Sequence, residues 1–99
     1  MDAQMFNYRV WIKYIEVEKL KERMSEMLEQ SGFNTLRMCE HYFDPEGYTG
    51  LWLLSESHIA VHTFPEEAKV YIELSSCVER PFQNFVKLIE NHNEIELLD

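Results

Sequence analysis

The sequence predicts an α+β fold: an antiparallel sheet with two helices packed on one face, a two-layer sandwich. Three observations predict it. The element order reads strand, helix, three or four strands, helix, short strand, so helices do not alternate with every strand. The middle strands are joined by short turns, which connect antiparallel neighbours and are too short for crossovers. Each helical stretch carries one apolar face. The chain has 99 residues, 45% of them hydrophobic and 13% aromatic. That size and composition make one globular domain spanning residues 1–99.

Each element has its own reason. Residues 6–15 (FNYRVWIKYI) are aromatic and β-branched, with Tyr8, Val10, Ile12 and Tyr14 on one parity, which reads as a strand. Residues 16–30 place Val17, Leu20, Met24, Met27 and Leu28 at helical spacing, and Gly32 supplies the stop. Residues 34–43 form a second, less hydrophobic strand. Asp44-Pro45-Glu46-Gly47 is a turn by composition. Residues 50–54 are a short apolar strand entering a polar knot, Ser55-Glu56-Ser57-His58. Residues 58–64 continue as strand until Pro65-Glu66-Glu67 breaks it, and residues 69–74 alternate as another. Pro81 suits the first turn of a helix over residues 80–92, with Phe82, Phe85, Leu88 and Ile89 on one face. Residues 93–98 add a last short strand. One sheet face stays uncovered in a single copy, and a second copy is its simplest cover.

Composition excludes several functions. Eighteen acidic residues against nine basic ones give a net charge of −9. Nucleic acid needs a basic footprint, and an anionic membrane surface would be repelled, so neither is expected as a partner. A cationic substrate is compatible with this charge. No apolar run approaches membrane-spanning length and the N-terminus lacks a signal-peptide pattern, so a cytoplasmic location is expected. There Cys39 and Cys77 stay reduced, with Cys39 expected in the core. Cys39-x-His41 and His58-x-x-x-His62 do not read as metal ligands. On a strand the two histidines stand roughly 13 Å apart, and there is no Cys-x-x-Cys pair. A serine hydrolase is also excluded, because the Gly-x-Ser-x-Gly elbow is missing.

The chemistry concentrates in residues 51–66, where serine and histidine sit inside what otherwise reads as core strand. Buried polar groups must each find a partner, so a plain structural strand has little reason to carry so many. Glu56-Ser57-His58, then His62-Thr63-Phe64-Pro65-Glu66, then Ser76-Cys77-Val78 follow in order, preceded by His41-Tyr42-Phe43 and Gly47-Tyr48-Thr49-Gly50. This constellation, covering residues 31–77, resembles the self-cleavage segment of the short bacterial and archaeal S-adenosylmethionine decarboxylases. Histidine five residues after the serine and cysteine twenty after it make the likeness specific.

The resemblance implies a pyruvoyl-dependent carboxy-lyase, made as a zymogen and working as a cytoplasmic homodimer. It would supply the aminopropyl donor for spermidine and hence polyamine biosynthesis. The hydroxyl of Ser57 would attack the carbonyl of Glu56. Cleavage between them would leave fragments 1–56 and 57–99, with a covalent pyruvoyl group in place of Ser57. That group would form a Schiff base with the amine of S-adenosylmethionine; no metal and no pyridoxal phosphate is implied. His62 matches the acid or base of processing, and its near-neutral titration suits the task. Thr49 stands where the family carries a serine whose hydroxyl helps processing. Cys77 matches the proton donor to the product carbon. Phe43 and Glu66 match substrate-binding positions, Phe64 replaces the usual tryptophan, and Ile59 lies where a contact to the nucleoside is implied. Val78 replaces a glycine and Glu73 an aspartate.

One geometric demand follows. Ser57 and His62 are roughly 16 Å apart along a straight strand and on opposite parities. They cooperate only through a bend at 55–58, a neighbouring strand or a partner subunit. Two alternatives keep the fold: a pyruvoyl decarboxylase of arginine or ornithine, and a processing-deficient homologue acting as a binding or regulatory subunit.

Overall fold

The computed structural model describes residues 3–98. In chain order the elements are β1 (Phe6–Lys13), α1 (Val17–Ser31), β2 (Thr35–Tyr42), β3 (Tyr48–Leu54), β4 (Ser57–Phe64), a short 3-10 turn (Pro65–Glu67), β5 (Lys69–Ser76), α2 (Glu79–Glu90) and β6 (Leu97–Leu98). The strands make one six-stranded sheet in the order β2-β3-β4-β5-β1-β6. Every neighbouring pair is antiparallel. Both helices lie on one face, as the sequence predicts.

The period-2 alternation of the strands decides what each face carries. Tyr48, Trp52 and Leu54 of β3, Ile59 and Val61 of β4, and Val70, Ile72 and Leu74 of β5 are buried toward the helices. All of these except Tyr48 join one core with Leu20, Met24, Met27 and Leu28 of α1 and Phe85 and Ile89 of α2. The other parity looks out from an open face, where Leu51 and Leu53 stay nearly half exposed. Antiparallel sheets tolerate one solvated face, but solvated faces are normally polar.

Helix α1 starts and stops for local reasons. The Glu16 carboxylate accepts hydrogen bonds from the backbone N–H groups of Glu18 and Lys19, which satisfies donors left free at a helix start. At the other end Gly32 takes the left-handed conformation, φ 101°, and the N–H groups of Gly32 and Phe33 close onto the carbonyls of Glu29 and Leu28. Glu94 then ties α1 to the segment after α2, pairing with Arg23 at 2.8 Å and Lys19 at 3.0 Å. Those hydrogen bonds lower its carboxyl to about 2.

Three details differ from the sequence reading. The third strand begins at Tyr48 rather than Gly50, because the Tyr48 N–H is held by Thr63 Oγ1 at 2.9 Å and its hydroxyl by Glu40 at 2.6 Å. The last strand is confined to Leu97 and Leu98, since Ile95 N–H turns back to the His92 carbonyl before the chain extends. Cys39 is exposed and not in the core. It lies on edge strand β2 opposite Leu51, on the parity that faces away from the helices.

Candidate active site

The residues singled out in the sequence form two clusters at opposite ends of β4. The first surrounds the two-residue turn Ser55-Glu56, which joins β3 to β4; Leu54 and Ser57 pair across it. Glu56 adopts φ +59°, a left-handed conformation that costs an L-residue with a long side chain roughly 1–2 kcal/mol. Its carbonyl oxygen receives two contacts from the segment after β5. The Cys77 backbone N–H reaches it at 3.4 Å and the Cys77 thiol donates to it at 3.1 Å. Ser57, the next residue, points to the helix side and is almost fully buried. The β4–β5 register sets it opposite Ser76, and its hydroxyl donates to Ser76 Oγ at 2.7 Å. The residue whose carbonyl is gripped and the residue whose hydroxyl is held are therefore consecutive, with the peptide bond between them.

The second cluster is on the open face, at the far end of the β3–β4 ladder. Thr49 and His62 are cross-strand partners, and Thr49 Oγ1 lies 2.9 Å from His62 Nδ1. They line a cavity of about 330 Å³ with Phe43, Phe64 and Glu66. Phe43 is half exposed and packs edge-on to His41 at 4.6 Å. Phe64 ends β4 and touches Trp11, whose ring also meets Tyr71 at 5.0 Å. The His62 ring stacks on Tyr71 at 6.3 Å. Tyr71 donates its hydroxyl to Glu73 at 2.6 Å, and that bond, first among the causes, raises its pKa. Glu66 sits in the turn after β4, exposed to solvent.

Five residues of strand separate Ser57 from His62, roughly 16 Å. The chain does bend at the polar knot, but the bend precedes Ser57, so β4 runs straight from one cluster to the other. The two halves do not meet within one chain. Cys77 follows Ser75 and Ser76 with the parity of the open face, so the turn cluster is approachable from the same side as the cavity.

Of the two kinds of contact expected of Ile59, backbone or apolar, its position leaves the backbone one. Its side chain is fully buried in the core, because it shares the helix-side parity of Ser57, and only its backbone can reach a ligand on the open face. Two side chains beside the clusters carried no role in the sequence reading. Ser76 is invisible as a partner of Ser57 until the strand register is known. Tyr71 lies on the outward parity of β5, and an aromatic on an outward position is the hint that a face is covered. A larger cavity of about 540 Å³ lies between α1 and β2, bordered by Lys21, Glu29, Met38 and Trp52; it holds none of the residues assigned from the sequence. Among the described residues, no group of three or more His, Cys, Asp or Glu is placed to hold a metal ion, and no helix is long and apolar enough to cross a membrane.

Comparison with known proteins gives one consistent result. A family model described as S-adenosylmethionine decarboxylase matches residues 13–95. An S-adenosylmethionine decarboxylase proenzyme of Moorella thermoacetica is 34% identical over 65 residues, covering 66% of this chain and 52% of the relative. That of Symbiobacterium thermophilum is 40% identical over 65 residues, covering 66% and 49%. That of Acetivibrio thermocellus is 34% identical over 79 residues, covering 80% and 57%. The chain thus spans about half the length of the curated relatives it matches. The crystal structure of the adenosylmethionine decarboxylase from Aquifex aeolicus superposes with a TM-score of 0.70 at 17% identity, covering 99% of this chain and 89% of that one. At that identity the likeness concerns the fold.

Proposed function

The chain belongs to the S-adenosylmethionine decarboxylase family, and we propose that it is a proenzyme that cleaves itself between Glu56 and Ser57 and then decarboxylates S-adenosylmethionine. One observation carries this reading. The Glu56 carbonyl is contacted by the N–H and the thiol of Cys77, at a residue held at φ +59°, directly before a serine hydroxyl that is buried and hydrogen-bonded. Left-handed backbone is ordinary in a two-residue hairpin turn, but two donors on its carbonyl and a buried hydroxyl beside it are not what the turn itself requires. Donors aimed at a carbonyl oxygen stabilise negative charge as it develops there. Backbone strain beside a bond that will break is released when it breaks.

The residues fit a pyruvoyl group made from Ser57. In the first step the Ser57 Oγ bonds to the Glu56 carbonyl carbon while Cys77 holds the oxygen, and the C–N bond breaks to leave an ester and a free Ser57 amine. Loss of the Ser57 α-proton then breaks its Cβ–Oγ bond, which releases the new α-carboxylate of Glu56 and separates the fragments; the dehydroalanine left at residue 57 shifts to an imine, and water replaces its nitrogen, which leaves as ammonia. The group left behind would supply a carbonyl electrophile for a primary amine and an electron sink for the departing carboxylate. The chain's own residues would do the rest. Phe43 and Phe64 offer aromatic faces for a base, Glu66 offers acceptors for hydroxyl or cationic groups, and the Cys77 thiol stands ready to return a proton to carbon. Thr49 holds His62 by its Nδ1, which leaves the Nε2 edge for proton transfer.

The separation of the clusters makes this a homodimer reading. If two copies pack their open faces in antiparallel fashion, the His62 cavity of one copy faces the Ser57 turn of the other. The exposed Leu51 and Leu53 are the apolar surface such a contact would cover. We propose with it that the product is the aminopropyl donor for spermidine, made in the cytoplasm.

Intact mass under denaturing conditions tests the chemistry. Two fragments breaking at Glu56–Ser57, with CO2 released from S-adenosylmethionine but not from arginine or ornithine, are expected. A single full-length mass after long incubation would overturn the reading. Co-expression of Ser57→Ala chains with His62→Ala chains tests the shared site. Neither chain should cleave alone, and the His62→Ala chain should cleave in the mixture. No cleavage in the mixture would place the histidine's action within one chain.

A further inference from the structure

We propose that Ser76 is a positioning residue for self-cleavage, fixing the Ser57 hydroxyl in the orientation from which it attacks. This rests on the reading that the chain cleaves itself at Glu56–Ser57. Ser76 is fully buried. Its Oγ accepts the Val78 backbone N–H at 2.9 Å and donates to the Val78 carbonyl at 3.2 Å. A backbone N–H can only donate and a carbonyl can only accept. Both ends of the Ser76 hydroxyl are thereby committed, and what remains toward Ser57 is a lone pair. The 2.7 Å contact must then be Ser57 donating and Ser76 accepting.

The polarity matters for the attack. A serine hydroxyl is a free rotor, and its nucleophilic lone pairs are available only when its proton is directed elsewhere. Ser76 directs the proton away, and burial keeps water from competing for it. In the acyl shift Ser57 Oγ gains the bond to the Glu56 carbonyl carbon, the C–N bond breaks, and the hydroxyl proton ends on the Ser57 nitrogen, which becomes a free amine. Among the described residues Ser76 is the one side chain hydrogen-bonded to that hydroxyl. Its neighbour Cys77 contacts the carbonyl under attack, so residues 76–78 present the nucleophile and grip its target from one short segment. That segment is anchored between the end of β5 at Ser76 and Val78, the residue that precedes α2. The strand register that pairs Ser57 with Ser76 makes the arrangement part of the sheet.

The test is the rate of fragment appearance, by intact mass, in freshly purified full-length chains. Ser76→Ala should slow cleavage by about tenfold to a hundredfold, the scale of a misoriented reactive group. Ser76→Thr, which restores the hydroxyl, should return the rate close to that of the parent chain. Ser76→Cys keeps the volume with a weak hydrogen bond, so it should remain slow even if Ser76→Ala does not fold. Hydroxylamine, which cuts esters but not amides, locates the defect. Uncut Ser76→Ala chain should resist it, because the acyl shift itself is not reached. Accumulation of hydroxylamine-sensitive chain would overturn the proposal, as would parent-rate cleavage of Ser76→Ala or slow cleavage of Ser76→Thr. If the parent chain never cleaves, the wider reading falls and takes this one with it. If the parent cleaves and Ser76→Ala keeps pace, only the role of Ser76 falls.

Discussion

Glu56→Gly is the substitution that most directly interrogates the turn. Glu56 is exposed and held at φ +59°, where a Cβ crowds the following carbonyl at a cost of about 1–2 kcal/mol. Glycine removes that cost, but it frees the unfolded chain by about 0.4–1 kcal/mol. The balance is a precursor more stable by about 1 kcal/mol, equivalent to about 4–8 °C in Tm for a domain of this size. The measurement belongs in a Ser57→Ala background, so that the chain stays whole, at fixed protein concentration, since association shifts apparent stability. Glu56→Ala is the control. It loses the carboxylate but keeps the Cβ, so it should gain little. Asn, which tolerates this conformation better than most residues, should fall between Ala and Gly. With Ser57 intact, the same glycine should slow cleavage by up to about fivefold, because about 1 kcal/mol of ground-state strain is no longer released on the way to the ester. A glycine variant no more stable than the alanine one would refute the claim that the turn stores strain.

Gly50→Ala would place a Cβ 2.8 Å from the Tyr48 hydroxyl oxygen and 3.0 Å from the Trp52 ring. Tyr48 is anchored by Glu40 and cannot retreat, so urea unfolding should show a loss of about 1–3 kcal/mol. Leu53→Glu should yield a folded monomer in sedimentation velocity, because it puts like charges on the face proposed to join two copies; an unchanged dimer would remove that face from the interface. Glu94→Gln should flatten the acid limb of stability. The carboxyl of Glu94 is lowered from its ordinary range to about 2 by Arg23 and Lys19. Its contribution is therefore fully present above pH about 4.5 and is lost as pH falls toward about 2. Chemical denaturation across that window should show the parent chain losing more stability than the variant.

The fold was legible in the sequence because each element is locally over-determined. Val17, Leu20, Met24, Met27 and Leu28 repeat at helical spacing between a Glu16 cap and a Gly32 stop, and β4 and β5 alternate without a break. What the pattern understated is where strands begin or end through long-range bonds. Tyr48 belongs to β3 because Thr63 and Glu40 hold it, fifteen and eight residues away, and no local propensity carries that information. Cys39 misled because small apolar residues are usually buried, while its outward parity on an edge strand decides otherwise.

The candidate site was legible in its residues but not in its arrangement. Ser57, His62, Thr49 and Cys77 stand out as types and spacings; their partnerships depend on register. Thr49 meets His62 and Ser57 meets Ser76 only because β4 pairs with β3 at one register and with β5 at another. The same alternation that makes β4 a strand puts an odd-numbered serine and an even-numbered histidine on opposite faces, and no rotamer change can bring them together. A chain that needs both residues at one peptide bond must therefore either abandon the strand between them or bring the histidine from elsewhere. The strand is intact, its inward residues Ile59 and Val61 are in the core, and breaking it would cost their burial. A second copy packed on the open face would bring its histidine to the side of that peptide bond where Cys77 contacts the Glu56 carbonyl, and costs only the covering of a face whose leucines are already exposed to water.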